Sequence, residues 1–519
     1  MRGERTGPPP WWHSAVIYQI YPRSFADSES GSGKGVGDLE GIRRHLDHLV
    51  WLGVDAIWLS PFYRSPMADF GYDVSDHCDV DPLFGSLADF DRLLADAHAR
   101  GLRVIVDWVA NHTSDRHPWF LDARSSATSA HRRWYVWRDP APGGGPPNNW
   151  RAAFGKDVPA WTFDEGSAQY YLHLFLAEQP DVNWTERAVV EAMHGVVSFW
   201  LDRGVDGFRA DAVHAIGKDP ALPDDPPERA GLPRSSTNDD PSTHGLLREV
   251  RRLLDRYPGD RVIVGEVYLL DTAKVATYYG DGDELHLAFN FPPLYTPWEV
   301  DAWRQRLDEV ERHIVPVGWP TWVLSNHDNP RPRTRYGSEA RARAAAVLLL
   351  GLRGTPFLYA GDELGLEDAL VEPAQARDPG GRDGCRAPLP WTAGPDHGWH
   401  ADPWLPWPPD PQRRNVETLR ADPSSILHLY RRLLTARRAS PALVGGTMEV
   451  LAPAPGVLAW SRAEGADTRV VAVNFTGAEA SVDVGGGHWI VEVSSDGLEE
   501  GRAWSGRLGP DVAVVLRPT

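Results

Sequence analysis

Acidic side chains stand directly after short apolar runs at four places in the chain, together with arginine and histidine. The four groups are Asp107 with Asn111 and His112, Arg209 with Asp211, Glu266, and His327 with Asp328. Each group alone has an ordinary explanation, since an Asp after a strand commonly caps the next helix and a single His commonly packs in a core. Four groups in the same setting instead indicate one site. Crowded carboxyl groups there acquire different pKa values and can act as acid, base and nucleophile.

The apolar runs that precede these groups are predicted strands, and they alternate with amphipathic helices that end near a glycine. Helices are predicted over residues 38–53, 86–101, 185–204 and 246–257. Strands are predicted over 16–20, 56–60, 103–107, 205–211, 261–266, 286–291, 321–325 and 356–360. Eight strands alternating with helices favour an α/β fold of the (β/α)8 TIM-barrel type over a doubly wound open sheet. The carboxyl ends of barrel strands share one mouth, so this fold would bring the four groups together.

Longer segments interrupt the alternation and divide the chain. Residues 113–184, between strands three and four, contain Pro, Gly and Asn turn clusters and predict an inserted domain. A smaller insertion is predicted at 217–243 and a long loop at 373–411. From residue 440 the apolar period changes to two, which predicts a C-terminal antiparallel β-sandwich over 440–519. The barrel is therefore expected over 1–112 and 185–439.

Composition excludes two classes of partner. With 53 Lys and Arg against 72 Asp and Glu, the 519-residue chain has a formal net charge of −19. An acidic surface repels phosphate backbones and anionic lipid, so neither nucleic acid nor a membrane is expected as a partner.

Two features of the sequence bear on its compartment. Residues 1–10 lack the apolar stretch of a secretory signal, and two cysteines, Cys78 and Cys385, cannot form a disulfide framework. These features favour the cytoplasm, and the sequence indicates no oligomeric state.

The strand-end motifs resemble those of the α-amylase superfamily, glycoside hydrolase family 13, and within it the oligo-1,6-glucosidase/α-glucosidase subfamily. The matching segments are Asp69-Phe-Gly-Tyr72-Asp73, Asp107-Trp-Val-Ala-Asn111-His112, Gln179-Pro-Asp181-Val-Asn183, Gly207-Phe-Arg209-Ala-Asp211, Gly265-Glu266-Val, Ser325-Asn-His327-Asp328 and Gly381-Arg382-Asp-Gly-Cys-Arg386. One short motif is a weak signal, but seven in the family's order, over practically the full length, are specific. The resemblance also implies the same layout of barrel, insertion after strand three and C-terminal sandwich.

The resemblance implies that two carboxyl groups about 5–5.5 Å apart hydrolyse a glycosidic bond with retained configuration. In this reading Asp211 matches the nucleophile, Glu266 the general acid/base and Asp328 a carboxylate that holds sugar hydroxyls. We then expect Arg209 to keep Asp211 ionised, and burial among anions to raise the pKa of Glu266.

Several further residues match the part of the family's site that binds the sugar. His112 and His327 match imidazoles that bind hydroxyl groups, and Tyr72 matches a ring on which glucose stacks. Asp69 and Arg386 resemble the pair that closes the pocket behind the terminal glucose. A closed pocket implies an exo-acting α-glucosidase, whose partners are short oligosaccharides or small α-glucosides.

One position bears on linkage and one segment on metal binding. Ala212 follows the matched nucleophile, and in similar members a small residue there goes with α-1,4 preference and Val with α-1,6.

In the loop at 27–38, relatives commonly carry an acidic sequence that binds calcium or magnesium, whereas Lys34 stands here where a ligand Asp is expected. An ammonium group cannot ligate a cation, so we expect no metal and no other cofactor.

Other functions remain open at this stage. A glucosyl-transferring or isomerising relative, of the trehalose synthase or sucrose isomerase type, or an oligo-1,6-glucosidase would use the same catalytic residues. A non-catalytic interaction protein, such as the heavy chain of an amino-acid transporter, would show a membrane segment and broken catalytic positions, and the sequence has neither.

Overall fold

Eight short parallel strands form the centre of the molecule. The structure is a computed structural model and describes residues 9–29, 35–229 and 238–519. The strands, β1 to β8 in chain order, are Ile17–Ile20, Ala56–Leu59, Arg103–Val109, Gly207–Asp211, Val262–Gly265, Leu287–Ala288, Thr321–Val323 and Thr355–Tyr359. Each lies on a predicted strand or within two residues of it, so the predicted barrel is confirmed.

The side chain of Thr321 closes the barrel. Backbone pairing runs in the order β6-β5-β4-β3-β2-β1-β8-β7, which leaves β6 and β7 without a ladder between them. Across this gap the Thr321 hydroxyl donates to the carbonyl of Ala288 at 2.8 Å and accepts from the N–H of Asn290 at 3.2 Å. The strands therefore form a ring, and their carboxyl ends share one mouth.

Helices surround the ring and bury their apolar faces against it. Those of six or more residues are Leu39–Arg44, Leu46–Leu52, Leu87–Ala99, Pro118–Ser125, Arg187–Arg203, Ser242–Leu254, Thr272–Thr277, Val300–His313, Glu339–Gly351, Val416–Ala421 and Ile426–Ala439. The barrel interior has its own apolar core, which includes Trp58, Val264 and Phe357. Within the described residues, no helix has both the length and the apolar composition that a membrane crossing needs.

His45 divides the first predicted helix in two. Its ring Nδ1 donates to the carbonyl of Gly41 at 2.8 Å. In a continuous helix that carbonyl would accept the backbone N–H of His45 itself, which here bonds Ile42 instead. The prediction of one helix over 38–53 is therefore wrong at its centre, because a side chain takes the backbone acceptor.

The two predicted additions contain small antiparallel sheets. Within 113–184, three strands pair in the order Trp137–Arg138, Gln169–Leu172, Trp161–Asp164. At the C-terminus, five strands pair in the order Thr447–Val450, Val457–Glu464, Asp467–Asn474, Ala513–Pro518, Trp489–Ser494. A two-stranded sheet, Ala480–Ser481 with Arg507–Leu508, shares an apolar core with these five strands. The predicted antiparallel C-terminal domain is confirmed.

Side chains from two regions reach the end of the barrel helix Glu339–Gly351. Arg437, in the neighbouring helix Ile426–Ala439, donates to the carbonyl of Leu350 at 3.0 Å. From the C-terminal region, Arg462 donates to the carbonyl of Gly351 at 3.0 Å, and Trp460 donates its indole N–H to the same carbonyl at 3.1 Å. The C-terminal region thus satisfies an acceptor that the end of a helix leaves free.

Candidate active site

Carboxyl groups at the ends of β3, β4 and β5 converge on the guanidinium of Arg209. Its Nη1 donates to Asp107 and Asp211, both at 2.6 Å, and its Nη2 donates to Glu266 at 2.5 Å. Arg209 and Asp211 lie two residues apart on β4, so their side chains leave the same face of the strand. One buried cation therefore holds the matched nucleophile and the matched acid/base beside each other.

Burial and the charge of Arg209 act in opposite directions on the pKa values of this pair. Burial raises the pKa of Asp211, and Arg209 opposes the rise. Burial acts on Glu266 in the same direction, and Arg209 and the N–H of Ala212 oppose it there. Arg209 thus binds both carboxyl groups rather than Asp211 alone. The ionised Asp211 and the protonated Glu266 that the resemblance implies stay predictions.

Asp328 is held as an anion by three neighbours. Its Oδ1 accepts from Arg382 and Arg386, both at 2.9 Å, and its Oδ2 lies 3.1 Å from His327 Nε2. Burial would raise the pKa of Asp328, but His327 and the two arginines lower it far below its usual range. The carboxylate is thus ready to accept hydrogen bonds from hydroxyl groups.

The pair that closes the cavity is Asp69 with Arg382. Arg382 Nη2 lies 2.6 Å from Asp69 Oδ1, and its Nη1 reaches Asp328. The resemblance paired Asp69 with Arg386, and the structure corrects this: Arg386 is fully buried and binds Asp328 from behind. The two arginines stand four residues apart around one tight turn, so the motif alone did not separate them.

Polar contacts fix both matched imidazoles, of which His112 lines the cavity and His327 lies behind Tyr72 and Asp328. The Tyr72 ring stacks on that of His327, with centroids 5.4 Å apart, and its hydroxyl lies 2.7 Å from His327 Nε2. His112 Nε2 lies 3.1 Å from the Tyr72 carbonyl and 3.1 Å from the amide of Gln179. That amide also donates to Asp69 at 3.1 Å. The stacking of a sugar on Tyr72 stays a prediction.

These groups surround a cavity of about 210 Å³. Predicted residues on its wall are Asp69, Tyr72, His112, Asp211, Ala212, Glu266 and Asp328, and unpredicted ones are Ala153, Phe154, Phe175, Tyr268 and Arg382. Tyr268 could have been found, because it stands two residues after Glu266, whereas no motif indicated Phe154 or Phe175. The volume is below the roughly 300–1,000 Å³ of pockets for drug-sized ligands, which suits a single sugar ring.

Ala212 stands in the cavity wall in an unusual backbone conformation. Its φ is +41°, in the left-handed region, and its side chain is 2% exposed. This conformation directs its N–H to Glu266 Oε2 at 3.0 Å. The residue that the resemblance singled out for linkage thus also orients the acid/base.

A buried lysine joins the inserted segment to the barrel. Lys218 Nζ lies 3.0 Å from Asp181 Oδ2 and donates to Asn111 at 2.9 Å and to the carbonyl of Ala215 at 3.0 Å. Asn111 in turn lies 3.3 Å from His112 Nδ1. The sequence analysis did not give Lys218 a role, although Asp181 and Asn111 belong to matching motifs.

Comparison with known proteins gives consistent results. The family model for the alpha-amylase catalytic domain matches residues 19–446. The chain is 43% identical to a "Probable alpha-glucosidase" of Rhizobium meliloti (strain 1021), over 88% of this chain and 87% of that protein. It is 35% identical to an oligo-1,6-glucosidase of Parageobacillus thermoglucosidasius, over 90% of each. The crystal structure of the alpha-glucosyl transfer enzyme XgtA matches with a TM-score of 0.92 and 41% identity, over 99% of this chain and 100% of that one. Trehalulose synthase MutB from Pseudomonas mesoacidophila MX-45 matches with a TM-score of 0.92 and 34% identity, over 99% and 100%.

Proposed function

The chain belongs to the α-amylase family of glycoside hydrolases, and on that premise we propose that it is a retaining, exo-acting α-glucosidase. The observation that carries the proposal is the convergence of Asp211 and Glu266 on Arg209 at the wall of a small cavity. An interaction protein without activity would have no need of this constellation.

In the proposed reaction Asp211 attacks C1 of a terminal glucose while Glu266 donates a proton to the glycosidic oxygen. A bond forms between Asp211 and C1, and the bond from C1 to the leaving group breaks, so the leaving group departs as an alcohol. Water then attacks C1, gives a proton to Glu266 and displaces Asp211. Two displacements at C1 retain the configuration.

The contacts of Arg209 serve both carboxyl groups in this reaction. Its Nη1 stabilises the ionised nucleophile Asp211 through a charge-assisted hydrogen bond. Glu266, which must be protonated when the leaving group departs, is held in place by Arg209 Nη2 and by the N–H of Ala212.

Exo action is supported by the way the cavity ends. The ion pair between Asp69 and Arg382 crosses its wall, and Arg382 extends the barrier to Asp328. A polymer chain could not pass these charges without leaving buried groups unpaired. The enzyme is therefore proposed to remove one terminal glucose from a disaccharide or short oligosaccharide, in the cytoplasm.

Linkage and the fate of the glucosyl group complete the proposal. Ala212 leaves room on the aglycone side, which supports α-1,4 over α-1,6 preference. XgtA and trehalulose synthase MutB, both similar to this chain, are named for transfer or isomerisation, so transfer to a sugar acceptor is the second candidate function.

We also propose that catalysis needs no metal. The family resemblance implies a cation loop at 27–38, and its two Asp side chains are engaged elsewhere. Asp27 accepts the N–H of His400 at 2.9 Å, while Asp38 accepts from Gly41 at 2.7 Å and from the Ser28 hydroxyl at 2.8 Å. These carboxylates do not fit a cation site, because protein donors occupy the oxygens that would ligate it. Lys34, on which the expectation rested, lies outside the described residues.

Two variants test the catalytic assignment. Asp211→Asn should abolish release of glucose from maltose, isomaltose, sucrose, trehalose and p-nitrophenyl α-glucoside, because the amide cannot form the ester. Glu266→Gln should accumulate a glucosyl-enzyme with the aryl glucoside, whose leaving group needs no proton, and mass spectrometry would detect the added hexose. Wild-type turnover in a folded Asp211→Asn variant would refute the assignment.

A further inference from the structure

The imidazole of His327 is buried among aromatic and charged neighbours. The ring of Tyr21 is nearly parallel to it at a centroid distance of 5.8 Å, and the Tyr72 hydroxyl lies 2.7 Å from its Nε2. His327 is 1% exposed, and its carbonyl accepts from Arg386 at 2.7 Å. These contacts fix the plane of the ring, and the position of its proton decides which atoms it can bind.

The ring carries one proton near neutral pH. Burial lowers the pKa of His327 to about 3, and Arg386, Arg209 and Arg382 act in the same direction against the opposing charge of Asp328. The ring is neutral at higher pH, so one nitrogen donates and the other accepts.

Asp328 determines which nitrogen donates. Its Oδ2 lies 3.1 Å from His327 Nε2, and this carboxylate is ionised, as its lowered pKa shows. A lone pair on Nε2 would repel this carboxylate, so Nε2 carries the proton, and the Tyr72 hydroxyl oxygen, 2.7 Å away, is a second acceptor for it. Nδ1 is then an acceptor, and it lies 2.7 Å from the amide nitrogen of Gln19.

Gln19 is held rigidly enough to enforce this arrangement. It lies on β1, where it is paired with Trp58 of β2 and Tyr359 of β8, and it is 1% exposed. Its amide nitrogen also contacts Ser60 Oγ at 3.2 Å. The donor thus cannot turn away from His327 without leaving a polar group buried and unpaired.

We propose that Gln19 is a positioning residue that holds His327 in its Nε2–H tautomer. This rests on the proposed function, since Nε2–H is the donor to Asp328 and Tyr72, which line the cavity. In the opposite tautomer Nε2 would be an acceptor, which would repel the Asp328 carboxylate and disturb its position at the cavity. Gln19 itself does not line the cavity and acts only through His327.

Gln19→Glu reverses the preference while keeping the size of the side chain. The introduced carboxylate accepts from Nδ1–H and stabilises the imidazolium, so the pKa of His327 rises. Below that pKa both nitrogens carry protons and Nε2–H persists. Above it the neutral ring shifts toward Nδ1–H. We expect kcat/KM for p-nitrophenyl α-glucoside to fall on the alkaline side by between about 10- and 100-fold, the range seen when a histidine loses its orienting partner. The wild type should not show this decrease of kcat/KM on the alkaline side.

Two control variants separate this role from packing. Gln19→Met keeps the volume but has no N–H or carbonyl to bind the imidazole. It should therefore lower kcat/KM by the same factor at all pH values, without a further decrease on the alkaline side. Ser60→Ala removes the other contact of the Gln19 amide and should leave the pH profile unchanged. Equal losses and parallel profiles in Gln19→Glu and Gln19→Met would indicate a packing role only and overturn the proposal.

The tautomer can also be measured without substrate. In protein labelled with ¹⁵N-histidine, the His327 signals, identified by their loss in His327→Asn, should show an unprotonated Nδ1 in the wild type. A protonated Nδ1 would overturn the proposal even if every variant failed to fold. An inactive wild type with the expected tautomer would instead refute the glucosidase function alone.

Discussion

Replacing Ala212 by Val places two methyl groups where the structure leaves little room. The side chain is buried in the wall of a cavity of about 210 Å³, next to Asp211 and Glu266. Because Ala212 follows the nucleophile, these methyl groups would project toward the leaving sugar. A 4-linked sugar is held close to C1, whereas a 6-linked one has an additional rotatable bond and can turn away. Ala212→Val should therefore impair maltose more than isomaltose.

The magnitude follows from two separate terms. One methylene in a pocket changes discrimination by about 1–3 kcal/mol, or about 10- to 200-fold in relative kcat/KM. Independently, a β-branched residue at φ +41° is strained, which costs about 1–3 kcal/mol of folding stability. The second term lowers the melting temperature and leaves the ratio between two substrates unchanged.

The assay measures kcat/KM for maltose, isomaltose and p-nitrophenyl α-glucoside in one preparation. We expect the wild type to prefer maltose and Ala212→Val to narrow or reverse that ratio, with aryl glucoside hydrolysis retained. The aryl substrate needs no proton, so its retention shows that the nucleophile and the binding of the terminal glucose are intact. Ala212→Gly, which suits a left-handed conformation, is the matched control and should keep the maltose preference.

Two results would refute the reasoning. If the wild type cleaves isomaltose better than maltose, the linkage assignment is wrong whatever the variant does. If Ala212→Val loses all three substrates equally while folded, the substitution disturbs the nucleophile or the binding of the terminal glucose, and the effect does not lie in space for the leaving sugar.

The remaining predictions concern stability and metal. Lys218→Met leaves the buried Asp181 unpaired and should cost about 3–5 kcal/mol in urea unfolding. Lys274→Met, whose ammonium is 54% exposed, should cost less than about 1 kcal/mol, and equal costs would contradict the burial argument. Burial lowers the pKa of His117 to about 2, so below about pH 6.5 the unfolded chain gains a proton that the folded one refuses. The free energy of unfolding should then decrease as the pH is lowered, by up to about 1.4 kcal/mol per pH unit through this group. His117→Asn should make this decrease less steep, and parallel stability–pH curves for the variant and the wild type would contradict the prediction. EDTA should change neither activity nor melting temperature; a loss that calcium restores would show that the loop at 27–38 binds a cation.

The parts of the site that sequence could predict are those fixed by strand position. The carboxyl ends of all barrel strands open at the same mouth. The alternation of helices and strands was therefore enough to place Asp211 and Glu266, each at such an end, near each other. Arg382 could not be distinguished from Arg386, because the choice depends on which side of a tight turn faces the cavity. The break at His45 was equally hidden, since the leucines on both sides keep the helical period.

The partners of Arg209 were harder to predict than its position. The sequence places Arg209 two positions before Asp211, which suggested a contact with that carboxylate. In the folded chain the guanidinium is planar and offers several donors, so it also binds Asp107 and Glu266. These two carboxyl groups approach from other strands, and a pattern along one strand does not show them.

The acceptors at the end of the helix Glu339–Gly351 have a consequence for how the chain can be divided. The Gly351 carbonyl is satisfied by Trp460 and Arg462, which lie beyond the barrel in sequence. A chain that stopped at residue 439 would lose both donors and expose to water the apolar face that this helix packs against the C-terminal strands. The C-terminal sheet is therefore part of the cooperative unit that unfolds, rather than a module that evolution or a protein engineer could exchange freely. A homologous sheet could replace it only if it carried donors to the same helix end.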